Sequence, residues 1–330
     1  MATNNTAVTL SIVTPAFNES ANLPLLYERL SKTLAPLNIA WEWIVVDDHS
    51  RDETFAVVTA LSMRDPRVRA YRFSRNFGSH IALTCGLEHS RGACAVVMAA
   101  DLQDPPETLP ALLEKWTSGA QVVWAVRRTR EGEKASTVGS ANLFYFIMRN
   151  VVGMKDLPPS GADFFLLDRR VIDALTQFRE NNVSLMALIT WMGFVQAHIE
   201  YDKQARMHGE SGWSLKKKLK LAVDSVASFT YLPIRLMSYV GAVVAFAGFL
   251  YALVVVLNAL AHHPVEGWSS LMIAVLLLGG IQMLMLGVLG EYLWRALDEA
   301  RRRPRYLIEQ LTPNAELQTA ASSAMARGNG

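Results

Sequence analysis

The sequence predicts an α/β domain with a parallel sheet, followed by an amphipathic interfacial helix and two membrane-spanning helices. Up to about residue 170, short apolar runs rich in β-branched residues alternate with amphipathic stretches, the pattern of strands joined by crossover helices. Two long uncharged runs follow Leu232 and hold much of the 51% hydrophobic content. Uncharged runs of about 20 residues are long enough to cross a bilayer.

Predicted strands and helices alternate through the first third of the chain. The strands are predicted at residues 8–13, 43–46, 68–73 and 93–99, with the first ending at Pro15. The helices are predicted at residues 22–34, 52–61 and 79–88 from apolar residues at helical spacing. Open α/β sheets bind ligands beyond the carboxyl ends of their strands. Asp47, Asp48 and Asp101 follow predicted strands, so we expect them at one ligand-binding edge.

A basic amphipathic segment precedes the uncharged runs. Residues 214–231 place an apolar stripe on one helical face, and Lys216, Lys217, Lys218 and Lys220 crowd its start. An apolar face at the headgroup boundary, with lysines toward anionic lipid, predicts an interfacial helix on the lipid bilayer. A solvated helix of a soluble protein is the alternative.

The uncharged runs cover residues 236–261 and 269–290. Two successive runs of this length disfavour a buried helix of a soluble protein. Lys and Arg flank the pair on both sides, whereas the intervening loop 262–268 has neither. The positive-inside rule therefore predicts a multi-pass protein of the inner (plasma) membrane with both termini cytoplasmic. The predicted domains are residues 1–213, 214–233, 234–293 and a basic tail 294–330, disordered after Glu309.

Charge, cysteine usage and the N-terminal sequence argue against nucleic-acid binding, an oxidising compartment and a signal peptide. A net charge of +2 is too small to indicate nucleic acid as a partner, because that binding needs a concentrated basic surface. Cys85 and Cys94 show no metal-binding or paired spacing, which favours a reduced, cytosolic first domain. The short apolar run near the N-terminus lacks a basic region before it, so no signal peptide is predicted. The sequence is silent on oligomeric state and is compatible with a homo-oligomer.

The first motif with chemical potential is Thr14-Pro-Ala-Phe-Asn-Glu-Ser, at the end of the first predicted strand. Pro15 fixes the turn, Phe17 can pack against a base, and Glu19 can accept hydrogen bonds from a ribose or base. The alternative is a simple strand-to-helix turn in which Asn18 or Ser20 caps the helix.

Two acidic motifs follow at later strand ends. Asp47 and Asp48 end an apolar strand, where adjacent acids are costly unless they bind a ligand or cap a helix. Asp101 and Gln103 alternate along a segment expected to be extended and so project to one side. Their carboxylate and amide oxygens are hard ligands suited to Mg²⁺ or Mn²⁺. A surface turn is the alternative, since Asp-Pro-Pro-Glu is good turn chemistry.

The motifs taken in order resemble glycosyltransferase family 2. The order is Pro15-x-Phe-Asn-Glu, Val46-Asp-Asp, Arg75-Asn-Phe-Gly, Ala100-Asp-Leu-Gln-Asp-Pro-Pro-Glu, Gly161-Ala-Asp-Phe and Arg206-Met-His-Gly-Glu-Ser. More narrowly, the chain is similar to the polyprenyl-phosphate glycosyltransferases over about residues 8–310. That group includes dolichol-phosphate mannose synthase and the bacterial undecaprenyl-phosphate (bactoprenol) glucosyltransferases.

The resemblance implies a GT-A (Rossmann-like) fold and a reaction. A hexose passes with inversion from a nucleotide-sugar donor to a polyprenyl phosphate acceptor, with glucose from UDP-glucose expected first and mannose or an amino sugar as alternatives. The implied nucleoside contacts are Pro15, Phe17, Glu19 and Asp47. The implied metal and diphosphate ligands are Asp101 and Gln103. Arg127 is implied at the acceptor phosphate, Asp163 as an active-site acid and Arg206 at the donor phosphates.

Two positions depart from the family pattern. Ala99 stands where family members often carry an aspartate, so one metal ligand is absent. Gly212 replaces a lysine, which shifts the expected phosphate binding toward Lys216, Lys217 or Arg206. Arg128 is a further candidate for the acceptor phosphate.

Three other functions are weighed against this hypothesis. A processive polysaccharide synthase would carry a Gln-x-x-Arg-Trp segment, which the sequence lacks, and two spans cannot enclose a polymer. A lipid-sugar flippase is disfavoured because the uncharged runs hold no ionisable residue for a polar head group. A catalytically impaired membrane subunit, with Ala99 as the lesion, stays open.

Overall fold

The computed structural model describes residues 8–128, 163–178, 184–204, 232–260 and 267–319. The chain divides into two compact units, one formed by residues 1–221 and 304–330 and the other by residues 222–303. The first unit contains a mixed sheet with flanking helices, and the second contains two long helices.

Eight strands form the sheet in the order β7-β5-β6-β4-β1-β2-β3-β8. Their bounds are β1 Leu10–Ala16, β2 Trp41–Asp47, β3 Val68–Phe73, β4 Cys94–Val97, β5 Val122–Arg127, β6 Phe165–Asp168, β7 Gln196–Tyr201 and β8 Ile308–Leu311. Strands β4, β1, β2 and β3 pair in parallel. Strand β6 is antiparallel to both β4 and β5, and β7 is parallel to β5. The predicted parallel sheet is therefore confirmed at its centre, with antiparallel pairs added on both sides.

Helices join the strands. Their bounds are α1 Asn22–Leu34, α2 Thr54–Arg64, α3 Ser79–Glu88, α4 Leu109–Thr117, α5 Arg169–Leu175 and α6 Leu185–Trp191, with 3₁₀ turns at Ala35–Leu37 and Pro106–Thr108. The helical spacing predicted in α1 is confirmed, because Leu23, Leu26 and Leu30 are all buried on the sheet. Every residue of β2 is buried, as expected of a central strand covered on both faces.

The predicted strands at residues 8–13 and 93–99 differ in extent from β1 and β4. Strand β1 continues through Pro15 to Ala16, with Pro15 opposite Val46 of β2. Its pairing with β4 stops at Val13 and Val97. Proline lacks a backbone donor and is tolerated where a ladder is paired on one side only. The strand can therefore pass through Pro15 because β4 has already ended.

Residues 304–319 are ordered within the first unit, so the predicted disorder after Glu309 is wrong for residues 310–319. Strand β8 pairs antiparallel with β3. Thr312 continues the contact, since Ala70 N donates to its Oγ1 at 2.9 Å. Asn314 Nδ2 donates to Ser62 O at 2.7 Å. The polar composition predicted disorder, but these residues complete the unpaired edge of β3 instead.

The second unit contains α7 Leu232–Leu260 and α8 Trp268–Ala300. Both helices are long and apolar enough to cross a membrane, judged by length and composition. Helix α8 continues past the predicted boundary at residue 293, and its last turns carry the Glu291–Arg295 ion pair at 2.7 Å.

Candidate active site

The fold gathers the predicted site residues at one edge of the sheet, which we call the carboxyl edge. Strands β1 to β5 and β7 point their carboxyl ends to this edge, while antiparallel β6 brings its amino end there. The tips of the strands and the turns that follow them carry the candidate residues Phe17, Asp47, Asp101, Arg127 and Asp163. The sequence prediction that strand-end acids share an edge is confirmed.

The turn after β1 presents an aromatic side chain and a buttressed loop. Phe17 is 43% exposed, so its ring is open to a ligand. Asn18 has a positive φ of 58°, and its N–H donates to Ser50 Oγ at 2.9 Å. Glu19 Oε2 accepts from Asn22 Nδ2 at 2.6 Å, which ties it to the start of α1. Pro15, half-buried within β1, shapes this turn from below.

Asp47 is fully buried beneath the turn after β2. Its Oδ1 accepts from Ser50 N at 2.9 Å, and its Oδ2 accepts from Arg72 Nη1 at 3.1 Å. Both oxygens therefore brace the turn, and a direct nucleoside contact would require one of these partners to move. The role of Asp47 as a nucleoside ligand stays a prediction.

Asp48 fixes the Arg75-Asn-Phe-Gly78 loop to the same edge. Its two oxygens accept from the backbone N–H groups of Phe77 at 2.6 Å and Gly78 at 2.8 Å. Burial raises the pKa of Asp48 to about 6, with the charge of Asp47 adding to the rise and the two backbone donors opposing it. Arg75 lies over the Phe77 ring, 4.1 Å from its centroid.

The turn after β4 differs from its predicted geometry. Leu102 has a positive φ of 62°, so the segment is a tight turn and the predicted extended alternation of Asp101 and Gln103 is wrong. Gln103 N donates to Asp101 Oδ1 at 3.2 Å, the local bond typical of aspartate turns. A leucine in this conformation costs about 1–3 kcal/mol, and such strain clusters at functional sites.

Arg127 and Asp163 meet across the ends of β5 and β6. Arg127 Nη2 lies 3.8 Å from Asp163 Oδ2, with the arginine side chain 20% exposed and the aspartate 60% exposed. Burial by itself lowers the pKa of Arg127, but Tyr201 and Asp163 outweigh it and raise the pKa. The pair therefore presents a fixed guanidinium beside an accessible carboxylate.

A buried acid, Asp104, sits behind this pair. Its Oδ1 accepts from the Tyr201 hydroxyl at 2.6 Å. Burial raises the pKa of Asp104, and the charges of Asp163 and Asp101 add to the rise, while Lys203 and the Tyr201 hydroxyl lower it. One electrostatic cluster therefore contains the carboxylates of Asp101, Asp104 and Asp163 and the cations of Arg127 and Lys203.

Four basic residues predicted to bind phosphate are not placed at the carboxyl edge by the described structure: Arg128, Arg206, Lys216 and Lys217. Arg128 Nη1 pairs with Asp202 at 3.1 Å and its Nε with Glu200 at 3.5 Å, on the surface beyond the carboxyl edge. Arg206, Lys216 and Lys217 lie outside the described residues. Among the residues that the structure describes, no three His, Cys, Asp or Glu side chains are grouped to hold a metal ion.

Two regions of the chain match known protein families. Residues 11–176, about half of the chain, match the family described as Glycosyl transferase family 2. The chain belongs to glycosyl transferase family 2. Residues 232–295 match the GtrB C-terminal hairpin, a region that contains most of α7 and α8 of this glycosyltransferase.

Similar proteins cover nearly the whole glycosyltransferase. An uncharacterized glycosyltransferase, YkcC, from Bacillus subtilis is 39% identical over 91% of this chain and 93% of its own. The bactoprenol glucosyl transferase of Shigella phage SfX is 34% identical over 91% of this chain and 98% of its own. The prophage bactoprenol glucosyl transferase homolog of Escherichia coli is 33% identical over 92% and 99%.

Solved structures are more distant. Glucosyl-3-phosphoglycerate synthase from Mycobacterium tuberculosis, crystallised with Mn²⁺, UDP and glucosyl-3-phosphoglycerate, aligns with a TM-score of 0.47 and 17% identity. The alignment covers 67% of this chain and 78% of that chain.

The sequence analysis did not predict three residues at or next to the carboxyl edge. Arg72 pairs with Asp47, and Tyr201 and Asp104 support the Arg127 side of the site. Asp104 lies in the Asp101-Leu-Gln-Asp motif, so this acid could have been chosen from the sequence. Nothing local marked Tyr201, whose partner is 97 residues away in the chain.

Proposed function

We propose that this glycosyltransferase moves a hexose, glucose from UDP-glucose first, onto the phosphate of a polyprenyl phosphate. The observation that carries the proposal is the 34% identity to a bactoprenol glucosyl transferase over 91% of the chain. The Arg127 guanidinium beside Asp163 at the carboxyl edge supports it, because both substrates of such a reaction carry phosphate and guanidinium groups bind phosphate.

The acceptor phosphate sets the catalytic problem. A lipid phosphate is already ionised near neutral pH, so no general base is required to activate it. The difficulty is to bring this anion toward an anionic diphosphate, which fixed cations make less unfavourable. Arg127 is held half-buried beside Asp163, so it can offer two N–H groups to a phosphate with little loss of side-chain freedom. Asp163 orients a sugar hydroxyl or this guanidinium.

A divalent cation, Mg²⁺ or Mn²⁺, fits the turn after β4. Asp101 offers a carboxylate and Gln103 an amide oxygen, the ligand types that these ions accept. Mg²⁺ commonly keeps water and substrate phosphate in its shell, so one or two ligands from the protein are enough to hold it. When bound, the cation neutralises charge that develops on the leaving nucleotide.

The two long helices suit a lipid substrate. A polyprenyl chain stays in the bilayer, so the active site has to be held at the membrane surface. We propose that α7 and α8 span the inner membrane with both termini cytoplasmic, and that the lysines of residues 216–220 draw the domain to anionic lipid.

Lipid labelling tests the proposed function. Membranes containing the full chain are incubated with undecaprenyl phosphate and a panel of labelled nucleotide-sugars, and label in the lipid fraction is counted. We expect cation-dependent transfer from UDP-glucose. Absence of label from every donor would refute the proposal.

The metal assignment is tested by Asp101→Asn. We expect loss of transfer with unchanged folding and insertion, since one ionic ligand is lost. Asp173→Asn, at an exposed aspartate on α5, is the matched control and should retain activity. Wild-type turnover by Asp101→Asn would remove the metal assignment.

The acceptor-side lysines are tested by neutralising Lys216, Lys217 and Lys218 together. We expect the acceptor KM to rise more than the donor KM, because the cations attract lipid phosphate. Lys115→Gln, on α4, is the control. Equal rises of both KM values would contradict an acceptor-side role.

A catalytically impaired subunit is the second candidate. Ala99, at the position where family members often carry a metal ligand, favours it. Cation-dependent binding of a nucleotide-sugar without turnover would support this candidate over an active enzyme.

A further inference from the structure

Tyr201 ends strand β7 directly beside Arg127, its register partner at the end of β5. The tyrosine is buried, and its ring packs edge-on against Phe164 with centroids 5.5 Å apart. Its hydroxyl donates to Asp104 Oδ1 at 2.6 Å. The ring is therefore fixed by packing and the hydroxyl by a carboxylate, and both end at the carboxyl edge.

The same hydroxyl interacts with the Arg127 side chain. Arg127 and Tyr201 are register partners on neighbouring parallel strands, and the Tyr201 hydroxyl helps to raise the pKa of Arg127. Because the single hydroxyl proton is given to Asp104, the oxygen accepts from the guanidinium. A carboxylate, a hydroxyl and a guanidinium thus form one chain in which each hydrogen bond polarises the next.

The Tyr201–Asp104 pair has fewer hydrogen-bond partners than a second tyrosine–aspartate pair of the domain, Tyr27–Asp65. Asp104 is 1% exposed, and among the residues that the structure describes its Oδ2 has no hydrogen-bond partner. The hydroxyl of Tyr27 likewise donates to Asp65 at 2.7 Å, but Asp65 also accepts from Arg67 at 2.7 Å. Burying a carboxylate with one oxygen left without a partner is costly, and such costs cluster at functional sites.

We infer that Tyr201, held by Asp104, is a positioning residue that fixes the Arg127 guanidinium for the anionic acceptor. The inference rests on the proposed function, since it concerns how that reaction's acceptor is gripped. An unrestrained arginine side chain samples many rotamers, and a misplacement of about 1 Å can cost about 100-fold in rate. Removing the Tyr201 hydroxyl keeps Arg127 in the chain but allows its guanidinium to take other positions.

The test compares Tyr201→Phe with Tyr27→Phe in the full chain in membranes. Both variants delete one tyrosine hydroxyl bound to an aspartate, but Asp65 precedes β3 at the opposite edge of the sheet. For Tyr201→Phe we expect the polyprenyl-phosphate KM to rise about 10-fold or more, with the donor KM within about 2-fold of wild type. Tyr27→Phe should leave both KM values unchanged, even where its melting temperature falls.

A double-mutant comparison separates positioning from general damage. In an Arg127→Gln background, Tyr201→Phe should change the acceptor KM by less than about 2-fold, because its effect acts through the lost guanidinium. Asp104→Asn should resemble Tyr201→Phe in the wild-type background.

The outcomes are distinct. An unchanged acceptor KM in Tyr201→Phe, equal rises of both KM values, or full additivity with Arg127→Gln would overturn the inference while wild-type transfer stands. Absence of transfer by the wild type onto polyprenyl phosphate would overturn the proposed function and this inference together.

Discussion

Replacing Glu42 with glutamine should destabilise the protein without altering its chemistry. Glu42 is 1% exposed and lies near the start of β2, at the edge opposite the candidate active site. It accepts from Ser11 Oγ at 2.6 Å, Arg69 Nη2 at 2.7 Å and Arg91 Nη2 at 2.7 Å. Burial alone would raise the pKa of Glu42, but Arg69, Ser11 and Arg91 outweigh it and lower the pKa.

The magnitude follows from the partner that is left behind. Arg69 is 2% exposed, so Glu42→Gln leaves a buried guanidinium without its counter-charge. Removing one member of a buried ion pair costs about 3–5 kcal/mol. For a domain of this size, about 1 kcal/mol shifts the melting temperature by about 2–4 °C. We therefore expect a fall of about 6–20 °C.

Thermal unfolding of the full chain in detergent measures the effect, with Glu28→Gln, at an exposed glutamate of α1, as the control. Kinetics below the melting temperature should give wild-type KM values for donor and acceptor. Because the pKa of Glu42 is lowered, its stabilisation is present above the unfolded-state pKa and is lost as the pH falls through the folded-state value. A fall of less than about 2 °C, or a selective change in either KM, would refute the reasoning.

Three further predictions concern stability. Gly92→Ala should lower the melting temperature through about 1–3 kcal/mol of overpacking, since its Cβ would lie 2.5 Å from Cys94 O and 2.6 Å from Ser11 N; unchanged melting would contradict this contact. Burial raises the pKa of Asp48 from 3.8 to about 6, so protonated Asp48 stabilises the folded state. This stabilisation is fully present below about pH 4 and is lost as the pH rises through about 6. The loss amounts to at most about 3 kcal/mol in the free energy of unfolding. Melting curves of wild type against Asp48→Asn between pH 4 and 7 should show this loss in the wild type alone, and parallel curves would argue against it. Asn314→Ala should expose the C-terminal segment to protease by removing its bond to Ser62, and an unchanged cleavage rate would show that β8 holds without it.

Local patterns were enough to predict the core of the fold. Helices α1 and α3 and strand β3 have the predicted bounds, because apolar spacing along the chain is visible without any partner. The gathering of Asp47 and Asp101 at one edge was also predictable, since parallel strands align their carboxyl ends. Where the chain makes an unusual local turn the prediction failed, as at Leu102, whose positive φ no apolar pattern reveals.

The sequence by itself determined the alternation of strands and helices, the order of the family motifs and the two long apolar helices, because each depends on neighbouring residues. Only the tertiary structure decided that Tyr201 meets Asp104 across 97 residues and that Thr312 binds Ala70 across 242. It also decided that Glu42 is paired with Arg69 in the interior. Such contacts depend on which strands become neighbours, and the energy of a buried charge or an unpaired strand edge is set by those neighbours.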